Sequence, residues 1–375
     1  MEITVSKSEL MRELSATQGV VERKTTIPIL SNYLFEASGD KLSLTATDLD
    51  LSLRTSCNAK VKKEGACTIP ARKLHDYVKL LPDADITIKL LENHWVSIRC
   101  GRSNTKMVGM ARSNFPSLPV FPTSNVVKIP AATLRQMIAK TIFAISNEES
   151  RYTLNGALLI LKPETIAMVA TDGHRLAHVE RGGEKFEGIS GELKTLVPKK
   201  AMDELKSLLD SSNGEGDAEE IEFAKDEATL YFRIGPRLLT SRQLTGQFPN
   251  FEAVLPKDNN KSINLHADEL SGAISRVAQF ADERSRAVRI RLEKGELKLS
   301  ASSTETGESE DSLEIDYNGD PLTIGFNAQY IIDFLKAAGS GDVKLELKDA
   351  QSAGQLRPAE SEDYKYRYIV MPMRI

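Results

Sequence analysis

Two histidines and an acid share the segment Asp172-Gly173-His174-Arg175-Leu176-Ala177-His178, a composition that could hold a metal ion or build a proton relay. The spacing works against both. The surrounding pattern reads strand–turn–strand, and in a strand residues i and i+4 stand ~13 Å apart at ~3.3 Å per residue. Two ligands of one zinc ion must each reach it at ~2.1 Å. A hydrolase built on Asp172 and His174 also needs a nucleophile, and no G-x-S-x-G turn presents one. His75, His94 and His266 complete the histidines. Neither a P-loop nor a G-x-G-x-x-G turn occurs. Cys57, Cys67 and Cys100 form no C-x-x-C pair, which argues against a zinc ribbon or a disulfide framework and fits a reducing compartment. The expectation is no catalytic group, no metal and no cofactor.

The same residues suit binding. Gly173 permits a tight turn, His174 and Arg175 offer directed donors, and Leu176 adds an apolar contact. The end of the sequence, Val370-Met371-Pro372-Met373-Arg374-Ile375, is apolar where polar, frayed residues are usual. Methionine is polarizable and adapts its shape, which suits a surface that accepts several peptides. A final strand packed into a core is the other reading of this tail, and the two are compatible.

These groups must be positioned by elements, and the elements recur. Leu42-x-Leu44-x-Ala46-Thr47-Asp48 returns as Ile166-x-Met168-x-Ala170-Thr171-Asp172 and, weaker, as Leu297-x-Leu299-x-Ala301-Ser302-Ser303. Strict alternation predicts a half-buried strand each time. A helix should follow each: Leu74, Tyr77 and Leu81 after Pro70; Met202, Leu205 and Leu209 after Pro198; Ile331, Phe334 and Ala338 after Asn327. Both prolines suit a helix entry. An earlier helix opens each unit. Ser6-x-x-Glu9 reads as a capping box ahead of Leu10, Leu14 and Val21. Leu134, Ile138 and Ile142 serve the second unit, and Leu270, Ile274 and Val277 the third. Strand pairs are expected at 86–90 with 95–100, 221–225 with 228–234, and 343–347 with 354–358. Phe115-Pro116 and Phe248-Pro249 close the first two units. The 375 residues thus divide into three copies of about 125 of one α+β design.

The charge, 49 Lys+Arg against 53 Asp+Glu, is near balance, but its placement is uneven. Helices of the first two units lean basic, with Arg72, Lys73 and Lys79 in one and Arg135 and Lys140 in another. Acid collects in loops and strand edges, at Asp217, Glu219, Glu220 and Glu222 and at Glu305, Glu308, Glu310, Asp311 and Glu314. That segregation suits a positive surface for phosphate backbones on an otherwise negative body. No run approaches the ~20 apolar residues of a membrane span, and Met1–Ser6 does not read as a signal peptide. A cytoplasmic protein with no membrane partner is expected.

Three repeats, the Ala170-Thr171-Asp172-Gly173-His174-Arg175-Leu176-Ala177 segment, Phe248-Pro249-x-Phe251-x-x-Val254-Leu255-Pro256 and Met371-Pro372-Met373-Arg374 together resemble the bacterial sliding clamps, the beta subunits of DNA polymerase III holoenzyme. The likeness runs from Thr26-x-Pro28-Ile29-Leu30 to the last residue. It implies three tandem DNA-clamp domains, at 1–124, 125–257 and 258–375, with antiparallel sheets outside and helices lining a central hole. Two chains would close head to tail into a homodimeric ring. The ring would encircle duplex DNA without regard to sequence and tether the polymerase III catalytic subunit, the clamp loader and other proteins carrying a clamp-binding motif. It would carry out no chemistry itself.

Residue by residue, the resemblance places the partner-peptide pocket on Leu154, Thr171, Gly173, His174, Arg175, Leu176, Pro249, Val254, Tyr330 and the stretch Ile369, Val370, Met371, Pro372, Met373, Arg374 and Ile375. It places DNA contacts on Lys24, Arg72, Tyr152, Lys199 and Lys200, and the ring interface around Met107 and Phe280. Ala253 stands where a relative has arginine, Ser285 where it has phenylalanine and Ile375 where it has leucine. Thr153 replaces a second tyrosine, Glu148 a glutamine and Thr105 an aromatic. A hydrolase using Asp172 and His174, and a monomeric nucleic-acid-binding scaffold, are the competing readings.

Overall fold

The alternating segments are strands Lys41–Thr47, Thr165–Thr171 and Glu296–Ser303 in the computed structural model, which describes residues 1–22, 25–183, 185–211, 219–360 and 363–374. Among the described residues six α-helices accompany the strands: α1 (Lys7–Thr17), α2 (Ala71–Leu80), α3 (Ala131–Thr141), α4 (Lys199–Ser211), α5 (Ala267–Val277) and α6 (Ala328–Ala338). Each repeat therefore contributes two helices and a set of antiparallel strands, as the sequence implies.

Local chemistry explains where the helices start. The Ser6 hydroxyl accepts the Glu9 N–H at 3.3 Å, capping α1. Glu9 does not reach back to complete the box; its carboxylate takes the Asn58 N–H at 3.1 Å instead. α1 ends at Thr17, so Val21 lies beyond the helix rather than on its face. Pro70 and Pro198 are the last residues of strands Gly65–Pro70 and Leu193–Pro198, one position before the helix. A residue without an N–H suits the end of a ladder as well as the start of a helix. On α2 the buried stripe is Ala71, Leu74 and Val78. Tyr77 is half-buried, because the i+4 neighbour takes the inward place.

The strands of the described residues form four antiparallel sheets, two of them eight-stranded. Two compact units result. Met1–Thr133 joins Lys200–Gln243 in one, and Leu134–Lys199 joins Leu244–Ile375 in the other. The second repeat is thus divided between them, because its strands continue the ladders of its neighbours. In the first unit Arg237–Arg242 pairs with Leu51–Asn58. In the second, Arg175–Gly182 pairs with Tyr364–Val370.

Within the first unit α1 packs on α2, with Leu10, Leu14, Leu74 and Val78 all 0% exposed. A buried ion pair ties α1 to the sheet. Glu13 accepts from the Arg237 Nε at 3.1 Å and from the Thr55 hydroxyl at 2.5 Å. In the second unit α5 packs on α6 and on the strand Gly307–Glu314. Among the described residues no helix is long and apolar enough to cross a membrane.

Candidate peptide pocket, cations and open sheet edges

Strands Thr165–Thr171 and Arg175–Gly182 form a hairpin whose turn is Asp172-Gly173-His174. The Asp172 carboxylate accepts the N–H groups of His174 and Arg175 at 2.9 and 3.0 Å. The Thr171 hydroxyl accepts the Gly173 N–H at 3.1 Å and donates to the Arg175 carbonyl at 2.6 Å. Gly173 holds φ +90°, and a Cβ there would stand 2.7 Å from an Arg151 guanidinium nitrogen. Arg151 in turn donates to the Asp172 carbonyl at 2.6 Å. Glycine is therefore required twice, for its backbone angle and for the close approach.

Arg175 corrects one expectation. Its guanidinium is not a free donor at the pocket. It meets Asp172 at 3.0 Å and Asp333 of α6 at 2.6 Å, and donates to the Phe143 carbonyl at 2.5 Å. It also lies 4.3 Å from the Tyr330 ring centre. With these partners Arg175 is a strut between the hairpin and α6, and it draws Tyr330 to the same place. His174 is exposed, and its carbonyl accepts the Met371 N–H at 2.9 Å.

The tail is a packed strand with an exposed residue directly after it. Tyr364–Val370 is a strand, with Ile369 opposite Leu176 and Val370 opposite Arg175. Ile369 and Val370 are buried, whereas Met371 is 45% exposed. The Met373 N–H reaches the Gly325 carbonyl at 2.8 Å, which holds the last residues against the sheet. Ile375 lies outside the described residues.

An apolar cluster underlies the hairpin and tail. Leu176 and Ile369 join Leu158, Val169 and Phe248, with Leu154, Phe251 and Leu255 packed on the edge. The 3-10 turn Phe251–Val254 leaves Val254 50% exposed beside it, and Pro249 is exposed too. Of the residues expected at the pocket, Leu154, Leu176 and Ile369 meet in one apolar cluster of the second unit, and the exposed Met371 follows Val370 directly. Sequence reasoning missed Phe248, Phe251 and Leu255 as wall residues. Phe248 stands in the sequence as a repeat marker and Phe251 and Leu255 within the motif that carries the resemblance, but the signal that they pack on this cluster is three-dimensional.

The named cations are placed differently from one another. Arg72 is exposed in the first turn of α2. Lys199 donates to the Asn147 side chain at 2.6 Å. Lys200 is paired with Asp48 and stands 3.9 Å from Glu22. Tyr152 is 50% exposed. Lys24 lies outside the described residues. Lys140, read as part of a basic helix surface, is instead buried. It donates to the Ala337 carbonyl at 3.2 Å and lies over the Tyr364 ring at 4.4 Å, so its charge belongs to the interior of the second unit.

Two of the edge strands among the described residues carry charges of opposite sign. Ser103–Val108, carrying Met107, ends the five-stranded sheet, and Gly307–Glu314 ends the four-stranded one. The first carries Lys106, with Arg99 on the neighbouring strand and Arg102 in the turn between the two, and the second carries Glu308, Glu310, Asp311 and Glu314. Phe280 is half-buried in the short turn after α5, the helix that backs the acidic edge. Unpaired edges of opposite charge are templates for each other. No cluster of metal-ligating side chains occurs among the described residues.

Residues 1–119, 128–250 and 252–374 match the N-terminal, central and C-terminal domain families of the DNA polymerase III beta subunit. The chain is 35% identical to the beta sliding clamps of Caulobacter vibrioides and Pseudomonas putida, with all of each chain covered. It superposes on the crystal structure of the DNA polymerase III beta subunit from Pseudomonas aeruginosa with a TM-score of 0.92 at 34% identity, again over 100% of both chains. A Caulobacter crescentus beta sliding clamp gives 0.92 at 34% identity, over 100% of both chains. With three domain families in order along its whole length, the chain belongs to the DNA polymerase III beta subunits, the non-catalytic sliding clamps that close as dimeric rings around duplex DNA and tether the polymerase and its partners.

Proposed function

We propose that this clamp recruits its partners through the cluster centred on Leu176, with Leu154, Thr171, Gly173, His174, Pro249, Val254, Tyr330 and the tail from Ile369 to Ile375 as its wall and rim. The observation that carries the reading is the meeting of a buried apolar floor with the exposed side chains of Val254 and Met371. Such a groove takes an extended segment by one or two apolar anchors. Arg175 holds the turn for that segment without touching it. A Pseudomonas aeruginosa relative has been crystallised with griselimycin, and the same ligand is expected to compete for this groove.

Arg72, Tyr152, Lys199, Lys200 and Lys24 are proposed to face the DNA backbone, with Arg72 the most available of those described. Backbone contacts without base contacts are what a sliding ring requires. Ring closure is proposed to add the Ser103–Val108 edge of one chain to the Gly307–Glu314 edge of its partner, with Met107 and Phe280 supplying apolar contact. Their opposite charges favour this head-to-tail pairing over like edges. The repeats are proposed to act as domains 1–124, 125–257 and 258–375, in the cytoplasm, where the DNA is.

Retention on DNA tests the assembly. After loading, the protein should stay on a nicked circle through moderate salt and leave when the circle is linearised. Equal loss from both substrates would refute a topological link.

A further inference from the structure

Past the peptide pocket, the same sheet face carries a groove of ≈ 330 Å³. Its floor and walls are Ile160, Ala167, His178, Phe251 and Leu255. Four of these, all but His178, also belong to the apolar cluster of Leu176 and Ile369, so the groove continues the pocket. The His178 ring lies 5.4 Å from the Phe251 ring, tilted at 47°. Its Nδ1 is sealed from solvent and has no hydrogen-bond partner. Burial keeps the imidazole below its ordinary pKa; Glu180 and Glu252 oppose this, and Arg367 and Lys365 reinforce it. Near neutral pH the ring is therefore an uncharged aromatic wall.

Much of the rim charge is paired. Lys162 and Lys194 both hold Glu192, at 3.4 and 3.0 Å, and Lys365 lies 3.5 Å from Glu180. Glu252, on the exposed turn, adds one further carboxylate at the rim, while the floor is apolar. Ligand pockets run from ~300 to ~1,000 Å³ for drug-sized molecules. A groove at the low end of that range fits one large side chain.

We propose that this groove is an aromatic subsite of the clamp: a partner segment anchored at Leu176 and Val254 continues across the Phe251–Val254 turn and seats an aromatic side chain against Phe251 and His178. The proposal rests on the pocket reading given above. Aromatic rings prefer offset or edge-to-face contact with each other, and Phe251 and His178 both line this one volume.

Two measurements on the full-length protein decide it. In the first, histidine-labelled protein is titrated with N-acetyl-tryptophanamide and the five imidazole signals are followed by NMR. The His178 signal should move saturably, and Thr165→Trp, which fills the groove from its half-buried rim, should abolish the shift. In the second, a fluorescein-labelled clamp-binding peptide of the polymerase subunit carries Ala or Trp added at either end. At one end Trp should bind at least tenfold tighter than Ala. The gain should vanish in Thr165→Trp and in Glu252→Trp, which covers the opening from the exposed turn without touching the sheet. The unextended peptide should bind all three proteins equally. If that peptide binds but Trp gains nothing at either end, the subsite is overturned. If that peptide fails to bind wild type, the pocket reading fails, and the NMR titration still decides the groove: a stationary His178 signal overturns it.

Discussion

Glu204 of α4 is 6% exposed, and its carboxylate occupies the space above Gly19, where a Cβ would stand 1.9 Å from Oε2. Burial pushes its pKa up to about 7 against an ordinary 4.5; Lys200 opposes the shift and Asp203 adds to it. In the unfolded chain the group loses its proton near its ordinary value; in the folded chain it keeps it to about 7. The folded state therefore binds more protons between those limits. Stability is full at the acid end of the window and falls as pH rises through it. A difference of about 2.5 pK units at ~1.36 kcal/mol each amounts to about 3 kcal/mol of destabilisation above neutrality. Glu204→Gln keeps the shape and removes the ionisation. At ~2–4 °C per kcal/mol for a folding unit of this size, it should raise the melting temperature at pH 8 by about 6–12 °C. The gain should shrink steadily toward pH 5. Scanning calorimetry of both proteins at pH 5, 6, 7 and 8 is the assay. Parallel curves across that range would show that Glu204 carries no trapped proton, and the reasoning would fall.

Three further outcomes are expected. Replacing Arg72, Lys199 and Lys200 together by glutamine should lower the salt slope of DNA binding by up to ~0.9 per lost phosphate contact; Lys200 should contribute least, because Asp48 already pairs with it, and single variants would reveal a different order. Deleting Met371 to Ile375 should weaken peptide binding well over tenfold, since a buried apolar anchor is worth ~1.5–3 kcal/mol. Sedimentation should still find the dimer, and a monomeric product would show that the tail is needed for the fold. Removing one member of the buried pair, as in Arg237→Met, should cost ~3–5 kcal/mol by stranding the Glu13 charge. Chemical denaturation measures this, and a loss below 1 kcal/mol would mean that Glu13 finds water.

Strand and helix periods made most of the fold legible. Leu134 and Ile138, Leu270 and Ile274, and Met202 and Leu205 are all buried as their spacing requires. Periodicity identifies which face turns inward; it does not identify what lies opposite. Lys140 and Arg175 show the difference. Both look like surface cations in the sequence. Their partners, Ala337 and Tyr364 for one and Asp333 and Tyr330 for the other, come from more than 150 positions away. The joining of repeats through shared ladders was invisible for the same reason, because the pairing of Leu176 with Ile369 leaves no mark on either strand alone. The turn at Gly173 was legible because its chemistry is local.

Tyr364–Val370 lies between Arg175–Gly182 and Gly354–Pro358, inside its sheet rather than at the rim. It comes later in the chain than both of those neighbours. Until it emerges from the ribosome, the hairpin that bears His174 keeps a bare edge, and such edges recruit other chains. Pairings across so long a stretch form slowly. The newborn clamp is therefore expected to need protection late in synthesis. A chain cut short anywhere before residue 364 would also lack the strand that completes the proposed pocket, and is expected not to compete with full-length clamps for the polymerase.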